Sequence, residues 1–144
     1  MQIRKCTEQD ISRFAWMNKH LIEDEKSNNP MNVDELEGRM RGFLSEDYQA
    51  YFFIEEETIL GYALIKHSTE PLYLRRFYIE REFRRRHYGK KAFGLLMDYL
   101  QADTIDIELL PWNENGRLFW KNCGFEETCI AMSYKEQKCG EAKV

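Results

Sequence analysis

"IEREFRRRHYGKKAF", residues 79–93, decides how the rest of the chain is read. Arg84, Arg85, Arg86, Lys90 and Lys91 crowd around Gly89, between what reads as the end of a strand and the start of a helix. A strand that runs through a glycine-containing turn into a helix presents unpaired main-chain N–H groups at the positive end of the helix dipole. Such an end binds phosphate. The surrounding chain is acidic: Lys and Arg total 21 against 25 Asp and Glu, a net charge of −4 over 144 residues, so the basic run is a local feature. A nucleic-acid-binding protein using the arginine triplet is disfavoured by that balance and by the lack of a helix-turn-helix or RNA-binding motif.

Outward from this stretch the periodicity is that of a mixed chain. "QIRKC" is a short strand, and Thr7 with Asp10 three residues on forms a near capping box that starts a helix at about Glu8. Ile11, Phe14, Ala15, Leu21 and Ile22 recur at helical spacing, "SNNPM" breaks that helix, and Leu36, Met40, Phe43 and Leu44 mark a second one. "AYFFIEE" and "ILGYALIKH" predict an antiparallel hairpin, and "PLYLRRFYI" a further strand. After the basic run, Ala92, Phe93, Leu95, Leu96, Tyr99 and Leu100 predict an amphipathic helix. "TIDIELL" is a strand ended by Pro111, a short helix covers roughly 115–122, Gly124 suits the left-handed position after a helix, and "FEETCIAMSY" is a last strand. The order is β-α-α-β-β-β-α-β-α-β, an α/β chain.

The length suits one domain, placed over residues 1–135, with 136–144 a polar C-terminal tail. Cys6, Cys123, Cys129 and Cys139 form no CxxC pair and have no histidines at zinc-like spacing, which points to reduced thiols in a cytoplasmic protein and to no metal. The N-terminus has no apolar signal region, and no apolar stretch approaches the roughly 18 residues of a membrane span.

The segment from Arg84 to Gly89 resembles the central motif of the GNAT acyltransferases: Gln or Arg, two variable residues, Gly, one variable residue, then Gly or Ala. Here His87 stands at the first glycine, where a side chain must point away or narrow the groove. A second signature agrees: "NENGRLFWKNCGF", Asn113 to Phe125, matches the family's spacing of Asn, a small residue, an aromatic pair, then Gly-Phe. The resemblance covers roughly residues 1–135. It implies the family fold, a mixed, mostly antiparallel central sheet flanked by helices, and acetyl-coenzyme A as cofactor. It further implies that the strand ends holding Phe77–Ile79 and Glu108–Leu110 splay apart around the pantetheine arm. Amides of Phe77 and Ile79 would bond that arm, those of Arg84, Arg85, Arg86, His87, Tyr88, Gly89 and Lys90 the pyrophosphate, and Asn113 would reach in from the other side.

The activity implied is transfer of an acetyl group to a primary amine by direct attack, without an acyl-enzyme. A main-chain amide near Tyr78 or Ile79 would meet the oxyanion. Glu108 stands where several relatives place the base that takes the amine's proton, often through water. Trp120 replaces the usual acidic tyrosine; an indole N–H does not give up its proton at ordinary pH, so it would orient the sulfur while Tyr78, Tyr88, Tyr134 or water supplies the proton. A free thiol has a pKa near ~8.5, so the thiolate leaves tolerably unassisted.

Glu23, Asp24 and Glu25 gather at the end of the first helix, where the dipole disfavours negative charge, and a cationic amine of a small molecule or peptide is one reason for them. The "LIEDE" and "NPM" segments, with Arg39 and Met40 following, resemble an uncharacterised acetyltransferase subfamily and point to no particular substrate. A homodimer through the last strands is consistent with the resemblance. His87 and Trp120 motivate an alternative, a GNAT-like module that binds acyl-coenzyme A as a sensor with little turnover.

Overall fold

Thr7 and Asp10 open the helical part of the chain at the predicted place. The Thr7 N–H donates to Asp10 Oδ2 at 2.9 Å, Arg4 reaches the same carboxylate at 3.0 Å, and a 3-10 turn over Glu8–Asp10 leads into α1, Ile11–Asp24. Helix α2, Val33–Leu44, begins on a reciprocal cap. The Asn32 N–H donates to Glu35 Oε1 at 3.2 Å and the Glu35 N–H to Asn32 Oδ1 at 2.9 Å, which satisfies two N–H groups that the first turn leaves without partners.

In this computed structural model residues 1–24, 29–44, 47–84 and 86–136 are described. Glu25, Lys26, Arg85, Cys139 and the tail from residue 137 onward lie outside the described residues. Strands β1 (Gln2–Lys5), β2 (Tyr48–Glu55), β3 (Thr58–Lys66) and β4 (Leu72–Ile79) pair antiparallel in chain order, and β5 (Ile105–Ile107) joins β4 in parallel. A parallel partner needs a crossover. Helix α3, Tyr88–Leu100, supplies it, and α4, Glu114–Asn122, follows β5.

Helices cover both faces of the sheet, so β2 and β3 read as near-continuous apolar runs instead of alternating ones. Phe52, Tyr62, Leu64 and Tyr78 pack with α1 and α2. Phe53, Ala63, Ile65 and Leu74 pack with Ala92 and Leu96 of α3 and Trp120 of α4. Asn18, the buried polar residue among those described, accepts from the Tyr62 hydroxyl at 2.8 Å, which removes the penalty of an unpaired amide oxygen.

Strand β4 is irregular in two places. Leu64 faces Arg76 while Ile65 faces Leu74, so Arg75 is the extra residue of a β-bulge. On its other edge β4 pairs with β5 only over Leu72–Leu74 against Ile105–Ile107. From Arg75 to Ile79 that edge is open.

The class and the mixed, helix-flanked sheet are as expected, but the final strand over "FEETCIAMSY" does not form. Phe125 is anchored, its N–H donating to Trp120 O at 3.0 Å. Beyond it Glu127 pairs with Arg117 at 3.3 Å and Lys121 at 3.5 Å, both on α4. Residues 126–136 pair with no strand. Ile130, Met132 and Tyr134 are exposed, at 89%, 90% and 90%. Gly124, at φ 102°, takes the left-handed turn after α4 as predicted.

Candidate active site

The open edge of β4 has a defined set of donors. The Glu80 N–H donates across to Leu60 O of β3 at 2.7 Å, and main-chain groups alternate edges along a strand. The amides of Tyr78 and Arg76 therefore face β3, and those of Phe77 and Ile79 face the gap toward β5. By this alternation the Tyr78 amide is spent on the sheet, and the amides of Phe77 and Ile79 are the candidate oxyanion donors near the expected place.

The gap is a cleft of about 710 Å³, within the usual range for a small-molecule site. Phe77, Tyr78, Ile79, Arg84, His87, Gly89, Lys90, Glu108, Asn113 and Trp120 all line it. Arg86 and Tyr88 do not; Tyr88 packs edge-on against Phe83, ring centres 6.4 Å apart.

At one end of the cleft, α3 starts at Tyr88 with His87 as its N-cap and no side chain capping it. Its first-turn N–H groups are left for an outside acceptor. His87 adopts φ 62°, ψ 14°, the left-handed region, which costs a residue with a Cβ roughly 1–2 kcal/mol. The position has the backbone of the glycine that the motif usually carries. Gly89 has a different reason to be small: an added Cβ would stand 2.9 Å from Phe119 Cε1.

The side walls are aromatic. The Phe77 ring centre lies 5.0 Å from that of Trp120, and Trp120 also packs against Phe93 at 5.3 Å, Phe119 at 4.7 Å and Phe125 at 5.1 Å. The indole is thus a packed wall of the cleft. Asn113 caps α4, its Oδ1 accepting from the Gly116 N–H at 2.9 Å. Its Nδ2 has no hydrogen-bond partner among the described residues, so it remains a donor on the cleft wall. Cys123 lines the same wall; burial pushes its thiol up, with Lys90 opposing weakly.

The acidic end of α1 meets arginines of this chain. Asp24 pairs with Arg84 Nη2 through one oxygen and with Arg81 Nε at 2.9 Å through the other, and Glu23 stands 3.9 Å from Arg81. Neither carboxylate lines the cleft. Arg84 is also tied to Ile79 O through Nε at 2.8 Å, and its guanidinium lies 5.2 Å from the Tyr78 ring centre. Glu80 completes the group, accepting from the Tyr78 hydroxyl at 3.4 Å and standing 3.6 Å from His20 Nδ1. Burial first, and the Glu80 carboxylate next, push the Tyr78 phenol well above its ordinary value. Such a phenol is a poor proton donor.

Glu108 is exposed just beyond β5. Asp106 sits opposite Tyr73 while Ile105 and Ile107 turn to the α3 side. By the two-residue period Glu108 shares the other face, toward α2. Sequence reasoning missed Arg75, Arg76, His20 and Glu80. The first two were hidden by the bulge, which breaks the alternation that assigns strand residues to faces, and the last two meet only through folding.

Among the described residues no group of three or more His, Cys, Asp or Glu is placed to hold a metal ion, and no helix is long and apolar enough to cross a membrane.

The fold recurs among solved structures. A "possible acetyltransferase" from Clostridium difficile 630 superposes with a TM-score of 0.78 at 14% identity, over 94% of this chain and 97% of that one. A "predicted acetyltransferase with acetyl-CoA" from Clostridium acetobutylicum gives 0.71 at 19% identity, over 93% and 95%. An aminoglycoside N-acetyltransferase in complex with CoA gives 0.73 at 15% identity, over 94% of each chain. No curated protein sequence matches the chain. The model of the acetyltransferase (GNAT) family matches residues 10–125, which takes in every strand but β1 and the whole of the cleft. With the uncapped start of α3 facing an open strand edge, that match leads to one conclusion: the chain belongs to the GNAT acetyltransferase family.

Proposed function

We propose that the protein is an N-acetyltransferase that moves an acetyl group from acetyl-CoA to a primary amine by direct attack in a ternary complex. The observation that carries this reading is the junction of two donor sets: the free amides of Phe77 and Ile79 on the β4 edge and the uncapped first turn of α3 at its head. The pantetheine arm would lie along β4 as an added strand. Its pyrophosphate would sit on the amides from Arg86 to Lys90, favoured by the helix dipole, with Asn113 Nδ2 closing from the α4 side. Arg85 enters the reading only through its place in the motif.

In the reaction the neutral amine attacks the thioester carbon, the carbonyl oxygen gathers charge against the Ile79 or Phe77 amide, and the C–S bond breaks to release thiolate. Glu108 takes the amine's proton, directly or through water. Trp120 positions the sulfur by packing. Tyr78, with its raised phenol and its bond to Glu80, serves the α1 side of the cleft and not the leaving group. Asp24 acts as a positioning residue for Arg84. The domain would span residues 1–135.

A second reading, an acyl-CoA sensor with little turnover, is favoured by one observation: Trp120 is locked among four phenylalanines where an acid would be useful. Calorimetric titration with CoA, followed by a thiol-release assay over an amine panel, separates the two. Binding with release supports the enzyme, binding with no release on any amine supports the sensor, and no binding removes both.

A further inference from the structure

The bulge at Arg75 gives the acceptor side of the cleft a charge that the reaction itself does not use. Because Arg75 is the extra residue, it and Arg76 both turn toward α2. Arg76 stands opposite Leu64 of the α1–α2 core, and the Arg75 guanidinium lies 5.0 Å from the Phe43 ring centre and 5.9 Å from that of Tyr48. Arg39 comes down from α2 onto the same Phe43 ring at 5.4 Å. No carboxylate among the described residues pairs with any of the three.

Like charges gathered at a half-buried site repel, and the cost rises as water is excluded. Burial first, then Arg76 and Arg75, hold the Arg39 guanidinium below its ordinary value. Arg75 Nε is buried with no hydrogen-bond partner, a donor left unsatisfied in the protein alone. Arg75 and Arg76 line the cleft together with Glu108. Tyr73, opposite Asp106 on β5, feels the charges of Glu108, Arg75 and Arg76. Glu108 and the two arginines thus share the lining of one cleft.

We propose that Arg75 and Arg76, with Arg39 outside the cleft lining but against the same Phe43 ring as Arg75, bind a carboxylate of the acceptor, so that the substrate is an amine carrying a carboxylate, such as an amino acid or a short acidic peptide, with its amino group delivered to Glu108. This rests on the acetyltransferase reading above. The planar fork of Arg suits a carboxylate. The acidic end of α1, matched by Arg81 and Arg84, leaves the acceptor's positive charge without a competing well away from the base.

The test has two arms. In turnover, matched pairs that differ by one carboxylate are compared: leucine with isoamylamine, phenylalanine with phenethylamine, ornithine with putrescine. The carboxylated member is expected to have at least tenfold higher kcat/KM, mainly through KM, and Arg39→Gln or Arg76→Gln should bring the ratio toward one, with Arg76→Lys restoring part of it. In binding, which needs no turnover, amide NMR shifts of residues 73–78 are followed during titration with N-acetyl-L-phenylalanine, N-acetylphenethylamine and inorganic phosphate. A saturable shift with the carboxylate, weakened at least tenfold by Arg76→Gln, supports the proposal. No such shift, a stronger response to phosphate, or equal binding of the uncharged amide overturns it. Failure to bind CoA would instead remove the acetyltransferase reading while the anion titration still stands or falls alone.

Discussion

Asp24, the last residue of α1, grips Arg84, the first residue of the motif that leads into α3. The pair ties the α1 wall of the cleft to the proposed pyrophosphate loop across 60 residues of sequence. Both side chains are partly exposed, at 21% and 38%, so the pair contributes up to about 1 kcal/mol. Asp24→Asn should therefore lower the melting temperature by up to a few degrees and, by loosening Arg84, raise the Kd for acetyl-CoA by up to about fivefold, the equivalent of that energy. Calorimetry checks it, and an unchanged Kd would show that Arg84 holds its place without the carboxylate.

His87→Gly should stabilise the protein. The left-handed backbone at φ 62° costs a Cβ-bearing residue roughly 1–2 kcal/mol, while glycine loses about 0.5–1 kcal/mol to chain entropy. The balance favours glycine by about 0.5–1 kcal/mol, seen as a rise of a few degrees in Tm. A fall in Tm would mean that the imidazole makes a compensating contact.

Glu108→Gln should lower kcat by about 10²-fold while leaving acetyl-CoA affinity nearly intact, because the residue stands on the α2 face of β5, away from α3. An unchanged kcat would remove Glu108 as the base and turn attention to Glu80.

Part of this site is legible in the residues alone. The run from Arg84 to Gly89 reads as a strand-to-helix turn, and its resemblance to the family motif, with that of the segment from Asn113 to Phe125, points to two walls of the cleft. The acceptor side is not legible in this way. Its three arginines come from α2 and a bulge, and a bulge shifts facing by one residue without any mark in the apolar pattern. The last strand shows the opposite failure. Ile130, Met132 and Tyr134 alternate as strand residues do, yet a strand also needs a ladder partner, and residues 126–136 have none among the described residues.

Cys123 lines the cleft, but its raised thiol keeps the nucleophilic thiolate scarce at neutral pH. Since the folded-state value lies above the ordinary one, alkylation of Cys123 by iodoacetamide should accelerate only at a pH above that at which a free thiol responds. Cys123→Ala should retain most of kcat, and initial-rate plots should intersect, as a ternary complex requires. Parallel plots, together with loss of activity in the variant, would establish an acyl-enzyme instead.

The most direct test is a crystal structure grown with acetyl-CoA. The pantetheine arm should lie along β4 between Arg75 and Ile79, bonded to the Phe77 and Ile79 amides, with the pyrophosphate within about 3 Å of the N–H groups that open α3. A cofactor bound elsewhere, or a cleft that stays closed by the side chain of His87 at saturating acetyl-CoA, would contradict the account.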